Sequence, residues 1–426
     1  MRVMVIGGGI GGLTTALSLH AAGIEVEVFE AASRVDPLGQ GINLQPNAVR
    51  ELIDLGLGPS LHETAIETAN LAYYNKFGQL IWKEPRGLGA GYKWPQYSIH
   101  RGHLQVILHK AVCERIGEEN VHLNHRLISF EHKAGEVIAH FSDDASGPPT
   151  KTYRADVLVG ADGIHSAVRK QLYPDEGAPV FSGRIQWRGA VEAEPFLDGC
   201  TQVMIGHREQ RTVIYPMSKE AAKRGKSLIN WLAILGSQSV EDQRESWNRR
   251  VTKDRFFKYF KDWNFDWIRP ADLFARTEEI YEYPKADRDP LSRWSFGRVT
   301  LLGDAAHPMR PIGSQAGSQA IVGARVLAYE LANARDPVSA LKAYEDIRLP
   351  VMREVVLRNR EFGPEIVMQM TEERAPQGFD NIDDILPYAE REEIAISFKR
   401  AAGFDPETLN ARPSLSVMPK REAVGV

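Results

Sequence analysis

Three glycines at fixed spacing, Gly7, Gly9 and Gly12, stand between the apolar run Val3 to Ile6 and a helix-period pattern through Leu13, Ala16, Leu17 and Leu19. Each answers a separate need of phosphate chemistry. Gly7 permits a tight turn, Gly9 lets backbone approach a pyrophosphate with no Cβ in the way, and Gly12 allows the helix to pack against the strand. The helix N-terminus then presents unpaired N–H groups and about half a positive charge. Glu30 lies 18 residues past Gly12, at the end of the alternating run Ile24 to Glu30, where an acid accepts the ribose hydroxyls of an adenine dinucleotide. This unit fits FAD and NAD equally. The cluster Gly87-Leu88-Gly89-Ala90-Gly91 has no strand before it, so a second nucleotide site of this kind is not encoded.

Two aspartates carry further chemistry. Asp162 sits in Gly160-Ala161-Asp162-Gly163-Ile164-His165-Ser166-Ala167-Val168-Arg169 and Asp304 in Gly303-Asp304-Ala305-Ala306-His307-Pro308. Each follows a run apolar enough for a buried parallel strand, Asp156 to Ala161 and Val299 to Leu302, and ligands of open α/β sheets gather at that carboxyl edge. The competing reading of such an aspartate is a helix cap. His307 beside Asp304 invites a general-base role, with packing as the alternative. Arg184, Gln186 and Arg188 share one face of a strand and Ile185 and Trp187 the other. Looking into a pocket, the arginine pair suits an aromatic carboxylate; looking out, it is a solvated face. Tyr215 and His207 are of the types that orient a phenol or accept its proton. Trp231, Trp263 and Trp267 read as core, with aromatic residues of 257–267 able to wall a flat substrate.

The elements that must hold these groups follow from periodicity. Strand, turn, helix and strand open the chain, and the other two parallel-strand candidates come much later. Between them Arg184 to Val191, Thr201 to Ile205, Thr212 to Tyr215 and Ser227 to Leu235 alternate, which predicts antiparallel sheet. The expected fold is α/β: a Rossmann-like nucleotide domain in discontinuous segments, 1–174 and 284–364, around an inserted antiparallel β-sheet substrate domain at 175–283. Residues from about 70 to 100 are expected to join that sheet. Ser314 to Gly363 reads as helix, with Pro350 starting or kinking one, and 365–426 as a tail of loose C-terminal helices without chemistry.

Taken together, the glycine fingerprint and the two aspartate motifs resemble those of the single-component FAD-dependent aromatic hydroxylases, the family of p-hydroxybenzoate and salicylate hydroxylases. The resemblance covers about residues 1 to 362. It is nearest to the phenazine-modifying branch, through Pro95-Gln96-Tyr97-Ser98-Ile99-His100-Arg101-Gly102, Ala155 to Arg169, and Asp287 to Leu291 ahead of Leu301 to His307. It implies an FAD-binding domain, NADPH or NADH as a transient electron donor, O2, and hydroxylation of an aromatic ring through a flavin C4a-hydroperoxide, with decarboxylation where a carboxylate occupies the attacked carbon. It further implies that Asp304 with Gly303 holds the ribityl chain and that Asp162, Gly163 and Arg169 lie near the pyrophosphate and the donor's path. Arg101 would reach the phosphates, with Gln105 one turn along; Met309 and Pro311 would shape the flavin's front face, and Pro311 and Gly313 count among the catalytic residues. The chain departs from the family pattern at Ala316, where glycine is usual, and at Gly323, where aspartate is usual and which weakens a helix by about 1 kcal/mol against alanine. Gly317 takes the permissive role by a one-residue shift. Two other readings stand beside this one: a flavin-binding protein with impaired hydroxylation, and an NAD-dependent dehydrogenase, which leaves both aspartate motifs without purpose.

Composition narrows the rest. The 426 residues carry 52 basic and 56 acidic side chains, a net charge of -4, which is no footprint for nucleic acid. No apolar run approaches the roughly 20 residues of a membrane span. Two cysteines, Cys113 and Cys200, make neither a disulfide framework nor a metal site, so no metal is expected and the cytoplasm is the expected compartment. The expected partners are a small aromatic substrate, O2 and NAD(P)H, on a monomer or homodimer.

Overall fold

The computed structural model describes residues 1–37, 39–144, 147–236 and 249–417. Strands β1 (Arg2–Ile6) and β2 (Glu25–Phe29) enclose helix α1 (Ile10–Ala21), and β3 (Gly41–Leu44), β4 (Asn70–Tyr74), β5 (Leu80–Pro85), helix α2 (Arg101–Ile116), β6 (Val157–Gly160) and helix α3 (Ala167–Leu172) follow. The middle of the chain supplies β7 (Val180–Ala193), β8 (Thr201–Gly206), β9 (Gln210–Pro216), β10 (Ser227–Gly236), β11 (Arg249–Val251) and β12 (Ile280–Asp287). Then come β13 (Val299–Leu301) and helices α4 (Ala316–Asn333), α5 (Pro337–Arg360), α6 (Ile366–Arg374) and α7 (Tyr388–Ala401).

The first sheet is parallel, in the order β13-β6-β1-β2, with the short strand Val121–His122 at its far edge. Val3, Met4, Val5, Val157, Leu158 and Val159 are all 0% exposed, as both-face burial of a parallel sheet requires. From β1 the chain moves to β2 on one side and later to β6 on the other. Such a switch point leaves a crevice outside the carboxyl ends of the strands.

The second sheet runs β11-β12-β7-β10-β9-β8-β4-β5, antiparallel except for the β8–β4 pair. It continues to Asp287, beyond the expected limit at 283. Its faces divide by the period of two. Trp187, Trp231 and Ile214 point outward onto Phe256, Phe260 and Phe274, while Tyr215, Leu232 and Ile234 point inward onto Val367, Met368 and Ala395 of α6 and α7. Trp263 and Trp267 belong to the outer layer, so that aromatic cluster walls nothing on the inner side. The face carrying Arg184, Gln186 and Arg188 is the inward one.

One expectation about helices is narrowed and one corrected. Pro350 lies inside α5 and does not start it; the start is at Pro337, where Asp336 Oδ1 accepts the N–H groups of Val338 and Ser339. The C-terminal helices are docked rather than loose, because the apolar residues of α6 and α7 complete the inner face of the sheet. Lys399 pairs with Glu84 at 2.7 Å, Gln79 Nε2 donates to the Phe379 carbonyl at 2.6 Å, and Tyr92 Oη donates to that of Phe404 at 2.8 Å.

Candidate active site

At the carboxyl edge of β1 the turn is built for glycine. Gly7 has φ +110° and a Cβ there would lie 2.5 Å from the Ala161 carbonyl oxygen, while a Cβ on Gly12 would lie 1.9 Å from that of Gly7. Gly9 has nothing within 4 Å of its Cβ position and precedes α1 with no side-chain cap, so the first N–H groups of the helix face open space. Glu30 stands at the carboxyl end of β2, where its Oε2 accepts the Gly8 N–H at 2.6 Å and its Oε1 the Ala32 N–H at 2.7 Å. From α2, Gln105 Nε2 donates to the Gly8 carbonyl at 2.7 Å. A cleft of about 850 Å³ runs past Gly7, Gly9, Glu30, Arg101, Gln105 and Asp162-Gly163. That is the volume of a cofactor site.

The two aspartates divide the readings that sequence left open. Asp162 Oδ1 accepts from Ser166 Oγ at 2.6 Å, and its Oδ2 accepts the N–H groups of Ala167 at 2.7 Å and Val168 at 3.3 Å, so it caps α3 while edging the cleft. Burial raises its pKa, against the pull of these bonds. Asp304 is open to solvent, and its carboxylate has no hydrogen-bond partner among the described residues. Protein nonetheless surrounds it, which raises its pKa, while the positive charge of Arg101 works the other way.

Arg169 is a correction. Its Nε and Nη2 hold Glu176, Nη2 also reaches the Asp289 carbonyl, and Nη1 donates to the carbonyls of Ala305 and Ala306. All five guanidinium donors are spent on protein, so this buried side chain ties the two aspartate motifs together and has none left for a cofactor. His307 is another. It is 4% exposed, its ring lies 5.4 Å from that of Trp294, and it lines a small separate cavity with Leu349 and Met352. Burial, helped by Arg348, drives its pKa down to about 3, so it is neutral and away from the cleft. Gly303, at φ +61°, takes the Ala306 and His307 N–H groups on its carbonyl. Pro311 is exposed on the loop beyond, and Gly313, at φ +62°, donates its N–H to Glu365 at 3.3 Å. Gly317 lets α4 approach β3, since a Cβ there would meet Ile42 at 2.6 Å, and Gly323 faces Tyr344 at an ordinary 3.7 Å.

On the sheet, Arg188 Nη2 donates to the Gly41 carbonyl at 2.8 Å, and Asn230 Oδ1 accepts the Gly41 N–H at 2.7 Å. A Cβ on Gly41 would strike the Tyr215 ring at 2.6 Å. These contacts clamp β3 onto the second sheet. The Tyr215 hydroxyl, beside Arg188, is pushed up to about 12 by burial, so it stays protonated. Arg184 is engaged by Glu209 and by the carbonyls of Arg208 and Ser182. His207 is corrected as well, because it sits in the β8–β9 turn, at the other end of β9 from Tyr215, between the charges of Glu372 and Lys76.

Sequence reasoning missed Arg211 and Lys285 on the inward face, and placed Gln186 on its strand face without giving it a role. Arg211 pairs with Glu365, both side chains being 1% exposed. The alternation Arg211, Val213, Tyr215 was the available signal; nothing in the sequence announced Glu365.

The arrangement fits FAD: an open glycine cradle at a helix N-terminus, an acid at the end of β2, and a carboxylate at β13 that no donor among the described residues satisfies. Comparison with known proteins agrees. Residues 1–359 match the FAD binding domain family. The chain is 46% identical over 363 residues to phenazine 1,6-dicarboxylic acid hydroxylase of Lysobacter antibioticus, covering 84% of this chain and 89% of that protein. It is 33% identical over 356 residues to 3-hydroxybenzoate 6-hydroxylase 1 of Aquipseudomonas alcaligenes, covering 82% and 84%. The fold is shared with Klebsiella pneumoniae HpxO complexed with FAD and uric acid, at a TM-score of 0.73, 24% identity and 97% coverage of both chains. The chain belongs to the FAD-dependent aromatic hydroxylases, flavoprotein monooxygenases whose usual electron donor is NAD(P)H.

Proposed function

We propose that this enzyme hydroxylates an aromatic carboxylic acid of fused-ring or benzoate type, bound between the inward face of the second sheet and the loop Met309 to Gly313. The carrying observation is the pairing of two features: a glycine-walled cleft lined by Arg101, whose charge also acts on an Asp304 carboxylate that has no hydrogen-bond partner among the described residues, and a sheet face that turns arginine, glutamine and tyrosine side chains inward. FAD, when bound, supplies the redox chemistry by which NAD(P)H and O2 place one oxygen atom on a ring carbon. The α1 N-terminus and Arg101 would hold its phosphates, Glu30 its adenosine ribose and Asp304 its ribityl chain, with Gln105 fixing the cradle through Gly8.

The remaining groups act on substrate and water. Tyr215 keeps its proton and orients the ring as a donor. Gln186 Oε1, buried without a partner among the described residues, is available to a substrate hydroxyl or N–H. The sheet, backed by its aromatic outer layer, excludes water from the reacting carbon. His307, neutral and lining a separate cavity, is not placed as a base. The two cysteines are free and no helix among the described residues is long and apolar enough to cross a membrane, in keeping with a cytoplasmic enzyme. The test is NAD(P)H oxidation by the flavin-loaded protein with phenazine carboxylates and hydroxybenzoates under 18O2. Substrate-stimulated oxidation with label in the product is expected. Oxidation that no aromatic acid accelerates would reject the proposal.

A further inference from the structure

Lys285 lies two residues beyond Tyr283 on β12, at the far end of the inward face. It is 4% exposed, and among the described residues its ammonium has no hydrogen-bond partner. It lines a recess with Ser182, Arg184, Arg208, Arg310 and Arg360. The other cations there are already engaged. Arg360 grips Asp287 at 2.8 and 3.1 Å, and Arg310 reaches the same carboxylate at 3.2 Å. Arg208 donates to the Glu361 carbonyl and covers the Phe362 ring, Arg184 holds Glu209, and Arg211 holds Glu365. Burial, then the neighbouring guanidinium groups of Arg211, Arg184 and Arg310, push the lysine well below its ordinary pKa, with only Glu365 opposing. Positive charge there outweighs the one opposing carboxylate, which disfavours the charged lysine, and an incoming carboxylate would favour it.

The dimensions match. The recess holds about 20 Å³, the space of one or two waters, which suits a carboxylate head and excludes a ring. Arg184 and Arg188 are four residues apart on β7, about 13 Å, with Gln186 and Tyr283 on the floor between them. That distance is the length of a fused-ring acid.

We infer that Lys285 and its recess form the carboxylate-binding end of the substrate site, selecting anionic aromatic acids whose ring lies over Gln186 and Tyr283. The inference rests on the proposed function for its substrate, and its test separates the two. The probes are phenazine-1-carboxylate and its neutral carboxamide, with affinity read from the perturbed flavin spectrum of the holoenzyme and KM from NAD(P)H oxidation. Wild type should prefer the acid at least about tenfold. Lys285→Met should weaken the acid by about tenfold to a hundredfold, as for a lost charged hydrogen bond, and leave the amide nearly unchanged. Lys285→Arg should retain the preference. No preference in wild type, or equal loss of acid and amide, overturns the assignment. KM for NADPH and NADH should be unmoved in both variants; a rise for NADPH alone would assign the recess to a donor phosphate and also overturn it. Selective acid binding without oxygen transfer sustains the recess and rejects the proposed reaction. Oxygen transfer without the Lys285 contrast does the reverse.

Discussion

Glu365 lies past residue 359, where the family match ends, yet its side chain is 1% exposed and bonded to the equally buried Arg211 of β9. Its other oxygen accepts the Gly313 N–H at 3.3 Å, and the Arg211 guanidinium lies 4.5 Å from the Phe362 ring centroid. Glu365→Ala leaves a buried guanidinium without its anion, a loss of about 3 to 5 kcal/mol. At about 2.1 cal/mol/K per residue the 426-residue chain has an unfolding entropy near 0.9 kcal/mol/K, so Tm should fall by about 3 to 6 °C. The assay is calorimetry of the holoenzyme at saturating FAD, following the first transition, since a chain with two sheets need not unfold in one step. The double variant Arg211→Met with Glu365→Leu removes both charges and should regain most of the loss, because apolar replacement of a buried pair is often neutral or stabilising. A Glu365→Ala protein within 1 °C of wild type, or a double variant no better than the single, would refute the pairing as a support of the active-site loop.

Three further outcomes follow from the geometry. Asp162→Ala removes the acceptor of the Ala167 and Val168 N–H groups, leaving Ser166 Oγ to cap that of Arg169, and should cost about 1 to 2 kcal/mol in urea unfolding while FAD occupancy holds; loss of FAD at unchanged stability would contradict its role at the start of α3. Gly12→Ala places a Cβ 1.9 Å from the Gly7 oxygen and should abolish FAD retention, and normal occupancy on gel filtration would show that the turn tolerates it. His307 titrates near 3 when folded and near 6.5 when unfolded, so below pH 6.5 the unfolded chain binds a proton that the folded one does not. Stability should therefore fall, by up to about 1.4 kcal/mol per pH unit from this group, as pH drops from 6.5 toward 3. His307→Leu should flatten that slope between pH 6.5 and 4.5, and an unchanged slope would place the titration elsewhere.

What the sequence disclosed was local. Gly7, Gly9, Gly12 and Glu30 are legible because one backbone turn dictates all four within a single βαβ unit, and Asp304 because it follows a strand apolar on both faces. Period-two alternation also told which residues of β7 share a face. It did not tell which face looked inward, because that depends on Phe256, Phe260 and Phe274 arriving from a distant segment to cover Trp187 and Trp231. Arg169 and His307 were misjudged for a related reason. Their motif positions suit a ligand, but whether an arginine's five donors or an imidazole's faces are already occupied is decided by Glu176, Ala305, Asp289 and Trp294, which only tertiary packing assembles. The C-terminal segment closes the inner face with apolar residues scattered over several short elements, Val367, Met368, Leu386 and Ala395 among them, so no single helix shows a long apolar period.

FAD content of the purified protein, with and without Asp304, tests the cofactor assignment most directly. Absorbance after denaturation should give about one FAD per wild-type chain, and Asp304→Ala, folded by circular dichroism, should emerge largely colourless and regain flavin only at much higher FAD concentration. A colourless wild type that refuses added FAD, or an Asp304→Ala protein as yellow as its parent, would contradict the account.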